Sequence, residues 1–285
     1  SSSADVSTVE SDFHQVSTDQ RIVANGLLGL GFEFGENKLR WTNLYIHDTI
    51  KQGRLSLGNL DKSNADLMRQ KTAWYERQLV DTQLVGEFKV TPDLRIELRG
   101  AYAKSQRDAP YELSTEYVRT NASSDPTGAY FVNVLNRNRG DARVIFSKLT
   151  EELFSGGIDV TYKITPDIGI TFGNAYSDTD RISSRREFFY DASALPAGVG
   201  MLRADLLLQP KIIDLYKISL FEGDEGNPAF EAKLRTWAGY GKINAQIGDM
   251  FNIDAGVRWE KAEQSVVPIQ VFKVPGASGA ATDLS

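Results

Sequence analysis

Apolar and polar residues alternate one for one over ten or more positions on both sides of four short turns, and nothing else in the chain restricts its fold as tightly. A period of two marks an extended strand whose two faces meet different surroundings. The turns are Gly35-Glu36-Asn37, Thr91-Pro92-Asp93, Thr165-Pro166-Asp167 and Gly248-Asp249-Met250. Pro fixes φ, and Gly or Asp supplies the unusual backbone angles of a tight hairpin.

The first hairpin runs down from Ile22 to Phe34 with Leu28, Leu30, Phe32 and Phe34 on one face, and climbs back through Leu39, Trp41, Asn43 and Tyr45. A two-residue loop of Glu36-Asn37 is expected to set Phe34 opposite Leu39 and Phe32 opposite Trp41, so that the apolar faces agree. The second has Leu84, Gly86, Phe88 and Val90 facing Leu94, Ile96, Leu98, Gly100 and Tyr102. Its other face holds Gln83, Glu87 and Lys89 against Arg95, Glu97 and Arg99, where diagonal pairs Glu87 to Arg95 and Lys89 to Glu97 would relieve opposed like charges. The third repeats the plan with Ile158, Val160, Tyr162 and Ile164, then Ile168, Ile170 and Phe172, over a polar face of Asp159, Thr161, Lys163 and Thr171. The fourth sets Trp237, Gly239, Gly241, Ile243, Ala245 and Ile247 beside Phe251, Ile253, Ala255, Val257 and Trp259; Tyr240, Lys242, Asn244 and Gln246 face Asn252, Asp254, Arg258 and Glu260.

Between hairpins the chain is long and irregular: Gln52 to Lys71 with a helix-like stretch at Ala65 to Gln70, Arg107 to Ala142, and Asp191 to Pro228 with a helical turn at Met201 to Leu208. Connections beyond about 12–15 residues are uncommon in compact soluble domains. Tight turns at one end and long loops at the other are the layout of an outer-membrane β-barrel. Mean hydropathy is -0.32 and no apolar run approaches the roughly 18 residues of a spanning helix, which excludes an α-helical membrane protein. A barrel remains open, because every second residue faces a polar lumen.

Alternation alone does not say which face is inside. A soluble β-sandwich with its apolar face inward is the ordinary reading. Three features favour the inverted arrangement: runs that reach the roughly 9–11 residues needed to cross a bilayer at a tilt, the loop asymmetry, and two aromatic bands. Phe34, Phe88, Phe251 and Tyr162 lie near the turns; Tyr45, Trp74, Tyr102, Tyr176, Trp237 and Trp259 lie further up. The expected fold is all-β: an antiparallel up-and-down portion of a transmembrane β-barrel, about eight strands in four hairpins, forming a curved open sheet.

Gly256-Val257-Arg258-Trp259-Glu260 after the fourth turn, and the Thr-Pro-Asp hairpins Thr82 to Tyr102 and Gly157 to Tyr176, give the chain a resemblance, one of texture, to the barrel of TonB-dependent outer-membrane receptors. It implies residues 1–285 as a partial barrel domain without a plug domain, roughly a third of a 22-stranded wall. Ser1 to Val6 lacks a signal-peptide pattern and the chain ends without a closing aromatic, so an interior fragment is expected, with Ser1 to Asp19 and Val266 to Ser285 on the long-loop side. It further implies uptake of a scarce nutrient of the siderophore, vitamin or oligosaccharide class, driven by TonB through the missing plug. Outer-membrane lipid and lipopolysaccharide would surround the wall. Alternatives are a self-contained small outer-membrane barrel with an adhesive or anchoring role, and a soluble all-β carbohydrate-binding module.

Little in the chain suggests catalysis, and no enzyme or cofactor is expected. There is no cysteine, and His14 and His47 stand in different segments without triad spacing. Asp178 and Asp180 could offer oxygen ligands to calcium, but the loop pattern of a dedicated site is missing. Asn121-Ala122-Ser123 matches a glycosylation acceptor, and Gly29-Leu30-Gly31 lacks the helix of a nucleotide loop. Arg185 and Arg186 near Phe188, Phe189 and Tyr190 form a basic-aromatic cluster suited to an anionic ligand or lipopolysaccharide, or simply to a solvated strand extension. A net charge of -6 with interspersed signs gives no support for nucleic-acid binding. The residues expected to face the lumen are Glu87, Lys89, Arg95, Glu97, Arg99, Asp159, Lys163, Lys242, Asp254 and Arg258.

Overall fold

A computed structural model describes residues 10–60, 65–119, 130–223, 229–248 and 251–269. In chain order the strands are β1 (Ser11–Phe34), β2 (Asn37–Leu60), β3 (Ala65–Lys89), β4 (Leu94–Arg119), β5 (Phe131–Val132), β6 (Asp141–Thr165), β7 (Ile168–Asp191), β8 (Ser219–Glu222), β9 (Ala229–Ile247) and β10 (Phe251–Pro268). Three short helices, α1 (Ala197–Gly200), α2 (Ala204–Leu207) and α3 (Pro210–Tyr216), lie between β7 and β8. Eight long strands follow the order β1-β2-β3-β4-β6-β7-β9-β10, with β5 added to β4 and β8 to β7. Every pairing is antiparallel, and β1 and β10 are not paired with each other among the described residues. The architecture is thus an open, up-and-down all-β sheet, as the four hairpins implied.

Six of the strands are 24 to 26 residues long, or roughly 80 Å each at the usual rise. Much of what reads as irregular connection is therefore strand. Gln52 to Leu60 belongs to β2, the helix-like Ala65 to Gln70 is the start of β3, Arg107 to Arg119 extends β4, and Ser11 to Asp19 is part of β1. Both faces of these extensions are rich in polar residues, so the period-two signal vanishes, while the ladder hydrogen bonds hold the strands regardless. Of the helical turn expected at Met201 to Leu208, Ala204–Leu207 forms α2. Asn121-Ala122-Ser123 lies outside the described residues.

Registers follow the turns. Phe34 pairs with Asn37, Phe32 with Leu39 and Leu30 with Trp41, two residues tighter than expected, because Gly35 at φ 61° opens a Gly35-Glu36 turn. The parity is unchanged, so the apolar faces still coincide. Phe88 opposes Ile96 as expected, with the Val90 amide donating to the Leu94 carbonyl at 2.9 Å. Tyr162 opposes Ile170; an irregularity at Ile164 leaves Pro166-Asp167 as the loop between Thr165 and Ile168. Ile247 opposes Phe251 across a turn that begins at Gly248, φ 62°; Asp249 and Met250 lie outside the described residues. Higher up, a bulge at Ala109-Pro110-Tyr111 shifts β4 against both neighbours, so even-numbered residues above it share the face of odd-numbered ones below.

The buried apolar cluster lies in the loop region at the long-loop end, away from the membrane-length half of the sheet. Leu135, Ala142, Ala192, Leu207 and Ile218 form it, with Val199, Leu202 and Ile213 packed around them. A single-layered sheet has no second layer to bury its faces against, and these helices supply one only at its far end.

Candidate functional site

Register and parity sort the side chains cleanly. On one face, the apolar residues of the four hairpins form a band with nothing packed over it among the described residues: Val257 is 79% exposed and Phe172 63%. Its aromatics fall in two rows. Near the turns Phe34 and Phe88 stand 6.5 Å apart; at the upper margin the Tyr176 and Trp237 rings are 5.6 Å apart, alongside Tyr45, Tyr102 and Trp259. On β10 eight residues separate the rows, from Phe251 to Trp259, or about 26 Å along the strand and about 20 Å at a barrel tilt. Trp74 lies further out than expected for this row, beneath the ammonium of Lys51 at 4.8 Å.

The opposite face is polar and holds the candidate site. Its centre is a depression of about 450 Å³ floored by small residues, Ala101, Ser155, Gly157, Ala175, Ser177 and Ala238, and edged by Gln83, Arg99, Tyr240 and Arg258. Arg99 of β4 donates to Asp159 of β6 at 2.5 Å, a diagonal contact, since Asp159 lies directly opposite Glu97. Tyr240 of β9 donates its hydroxyl to the same carboxylate from two strands away. Gly173 of β7 makes this possible, because a Cβ there would run into both the Tyr240 ring and the Asp159 carboxylate. The Arg258 guanidinium lies 5.8 Å from the Tyr240 ring centre and bonds Glu260 at 3.0 Å.

The ten charged residues expected to face the lumen share this polar face by register, but they form different pairs from those foreseen. Glu87, Glu97 and Asp159 lie side by side across three strands, with Lys89 and Arg95 paired on the turn side and Arg99 one row above. Lys89 reaches Glu36 in the first turn at 2.6 Å instead of Glu97, because the tightened turn brings Glu36 over β3. Lys242 lies opposite Thr171 and Gly256, Asp254 bonds Asn244, and Lys163 sits by the third turn opposite Gly169. Tyr240 and Gly173 are the members that a charge-based reading omits; Tyr240 is visible only as a polar-face position and Gly173 as a glycine among polar-face residues, with nothing to join them to Asp159.

Above the depression the polar face is laced with ion pairs. Asp48 is held by Arg21 at 2.8 Å, and Glu112 accepts from the Tyr75 hydroxyl at 2.8 Å and from Lys71 at 3.1 Å. Burial and the neighbouring Glu112 push the Tyr75 phenol up to about 12. Arg143 bonds Glu187 at 3.1 Å, while strand alternation splits the basic-aromatic cluster: Arg185 and Phe189 share this face, whereas Arg186 lies on the other, over Phe188 at 4.9 Å and bonded to Glu222 at 2.8 Å. Asp178 and Asp180 are on the band face, engaged by Arg235 at 3.2 Å and Lys233 at 3.3 Å, so cationic side chains occupy both carboxylates. His47, also on the band face, meets the Thr49 hydroxyl at 3.2 Å.

No family profile and no curated protein sequence matches the chain. Among solved structures it is similar to the ferric-catecholate import receptor Fiu of E. coli K12 in its closed form, at 12% identity and a TM-score of 0.41, covering 95% of this chain and 43% of that one. The open form of Fiu gives 12%, 0.41, 96% and 47%. The siderophore receptor PiuA of Acinetobacter baumannii gives 13% identity and a TM-score of 0.41, with 94% and 42% covered. The chain spans less than half the length of these receptors.

Proposed function

We propose that the chain is part of the wall of an outer-membrane transport receptor, with the apolar band against lipid and the polar face lining the lumen. Further strands would complete the ring beyond the open edges of β1 and β10. A plug held against the lumen face, with Glu87, Lys89, Arg95, Glu97, Arg99, Asp159, Lys163, Lys242, Asp254 and Arg258 lining the space, would couple uptake of a scarce small molecule or oligosaccharide to force from TonB. The role is that of a receptor, with no catalytic step of its own.

The observation that carries this reading is the band. Exposed Phe154 and Ile158 on β6, Phe172 on β7, Ile243 on β9, and Val257 and Trp259 on β10 form an apolar surface across four neighbouring strands that water would penalise heavily and lipid would not. A soluble sandwich would need a second sheet over that face, and none covers it among the described residues. A self-contained ring would pair β1 with β10, and the described strands remain open.

The absence of cysteine makes the test direct. Single cysteines at Phe172 or Val257, in the chain inserted into lipid vesicles, should react with a lipid-dissolved maleimide and resist a water-soluble one; cysteines at Gln83 or Lys242 should do the reverse. Equal labelling of the two faces would sink the proposal.

A further inference from the structure

On β1 to β3 the polar face departs from its own pattern. Val23 and Leu27 of β1, Leu44 and Ile46 of β2 and Leu79 of β3 all fall on it by parity, with Leu27 opposite Leu44 and Ile46 opposite Leu79. Val23 and Leu27 are not covered among the described residues, being 47% and 74% exposed. A lumen wall is ordinarily polar, so a strip of adjoining aliphatics there calls for an apolar occupant.

Cations bound the strip on its long-loop side. Arg77 of β3, next above Leu79 on this face, lies directly opposite Arg107 of β4, a like-charge pair that an anion between them would relieve. Asp48 is already taken, since Arg21 engages both its oxygens at 2.8 and 2.9 Å and Arg77 comes only to 4.0 Å from it. Arg107 forms no ion pair among the described residues and rests over the Tyr75 ring at 5.4 Å. Higher on the same face Arg54 and Lys71 are again opposed, and of the two Lys71 has a carboxylate, Glu112 at 3.1 Å. With Asp19, which accepts from Gln52, three carboxylates stand against these five cations, although the chain as a whole carries a net charge of -6. At the other end of the strip Asp81, opposite Leu44, has the opposite sign. An elongated anion is thereby given one orientation, with its head at Arg77 and Arg107 and its body over Leu79, Ile46 and Leu44, about 13 Å along the strand.

We infer that the strip and its two arginines bind an amphipathic organic anion, a carboxylate on an aliphatic body. The guanidiniums take the carboxylate through charge-assisted N–H···O bonds, and each methylene that leaves water over the strip adds affinity. The ligand class rests on the reading of this face as a lumen.

Equilibrium dialysis of butanoate, hexanoate, octanoate and octanol against the chain in phosphatidylcholine vesicles, with protein-free vesicles subtracted, tests this. Affinity should rise about two-fold per added methylene, half the gain of full burial, and octanol should bind about ten-fold more weakly than octanoate. Arg77→Gln with Arg107→Gln should remove that preference for the anion. Arg77→Lys with Arg107→Lys, which keeps both charges, should retain it and guards against a folding artefact. Leu44→Ser with Leu79→Ser should flatten the chain-length series while leaving weak butanoate binding. Octanol bound as well as octanoate would reveal an apolar contact surface, and sulfate displacing octanoate with no chain-length trend would reveal a simple anion site; either overturns the inference. Insertion without octanoate binding overturns it alone, whereas failure to insert in any vesicle overturns the membrane reading itself.

Discussion

Tyr240 of β9 donates its hydroxyl to the carboxylate of Asp159 on β6 although β7 runs between them. Strands two apart are nearly 10 Å distant, and the gap closes because Tyr240 is long, Asp159 is also drawn toward Arg99, and Gly173 leaves the path clear. A methyl group at 173 should therefore displace the ring. We expect Gly173→Ala to cost about 1–3 kcal/mol, the worth of a hydrogen bond to a charged group, in urea unfolding from lipid vesicles. Gly239→Ala, where an added Cβ meets nothing within 4 Å, should stay within about 0.5 kcal/mol of the parent. Equal effects at the two positions would deny the bridge its role.

A charge placed on the band separates lipid from water by energy. Phe172→Arg and Val257→Arg should each destabilise the inserted protein by about 2–4 kcal/mol if they lie near the bilayer midplane. Removing a charge from the other face, Lys242→Gln, should cost well under about 1 kcal/mol. Unfolding free energies in vesicles check the contrast, and its absence would mean that the band meets water or protein.

At the far end, the Tyr117 hydroxyl donates to the Leu202 carbonyl at 2.9 Å and ties the top of β4 to the segment between α1 and α2. Tyr117→Phe should cost about 1 kcal/mol and raise hydrogen exchange across residues 197–216. Burial pushes the phenol up to about 12 from its ordinary 10.0. The folded form thus keeps its proton while the unfolded form loses it, so this stabilisation is full below pH 10 and is lost as pH rises through about 12. Absorbance titration should find one late-ionising tyrosine missing in the variant.

Asp141, beside the same loop cluster, has its pKa raised above 3.8, chiefly by burial and against the pull of Arg143. A raised folded pKa favours the protonated form, so its contribution is full below the unfolded value and declines as pH climbs through the folded one. Asp141→Asn should therefore leave loop stability unchanged near pH 3 and increase it at pH 7, as read by protease resistance of the 133–140 loop at each pH. A variant less resistant at pH 7 would show that the ionised carboxylate is stabilising.

Where each face meets one medium, the hairpins are readable from residues alone. Phe88 opposite Ile96 and Ile247 opposite Phe251 follow from turn length and parity. Where both faces meet water the pattern fades, so Gln52 to Leu60 and Arg107 to Arg119 read as loops although the ladder continues through them. The candidate site divides likewise: its charged residues are visible as polar positions, but Tyr240 and Gly173 acquire meaning only from the bridge across β7.

The sequence by itself determined the hairpins and the division into two faces, because side-chain period and turn chemistry are local. Only the tertiary structure decided that Phe34 meets Asn37 instead of Leu39, that Lys89 pairs with Glu36, that the strands run roughly twice as far as their alternation, and that three strands converge on Asp159. Those outcomes depend on the left-handed turn at Gly35, on backbone ladders indifferent to side chains, and on contacts between residues up to 81 positions apart, which no local pattern encodes.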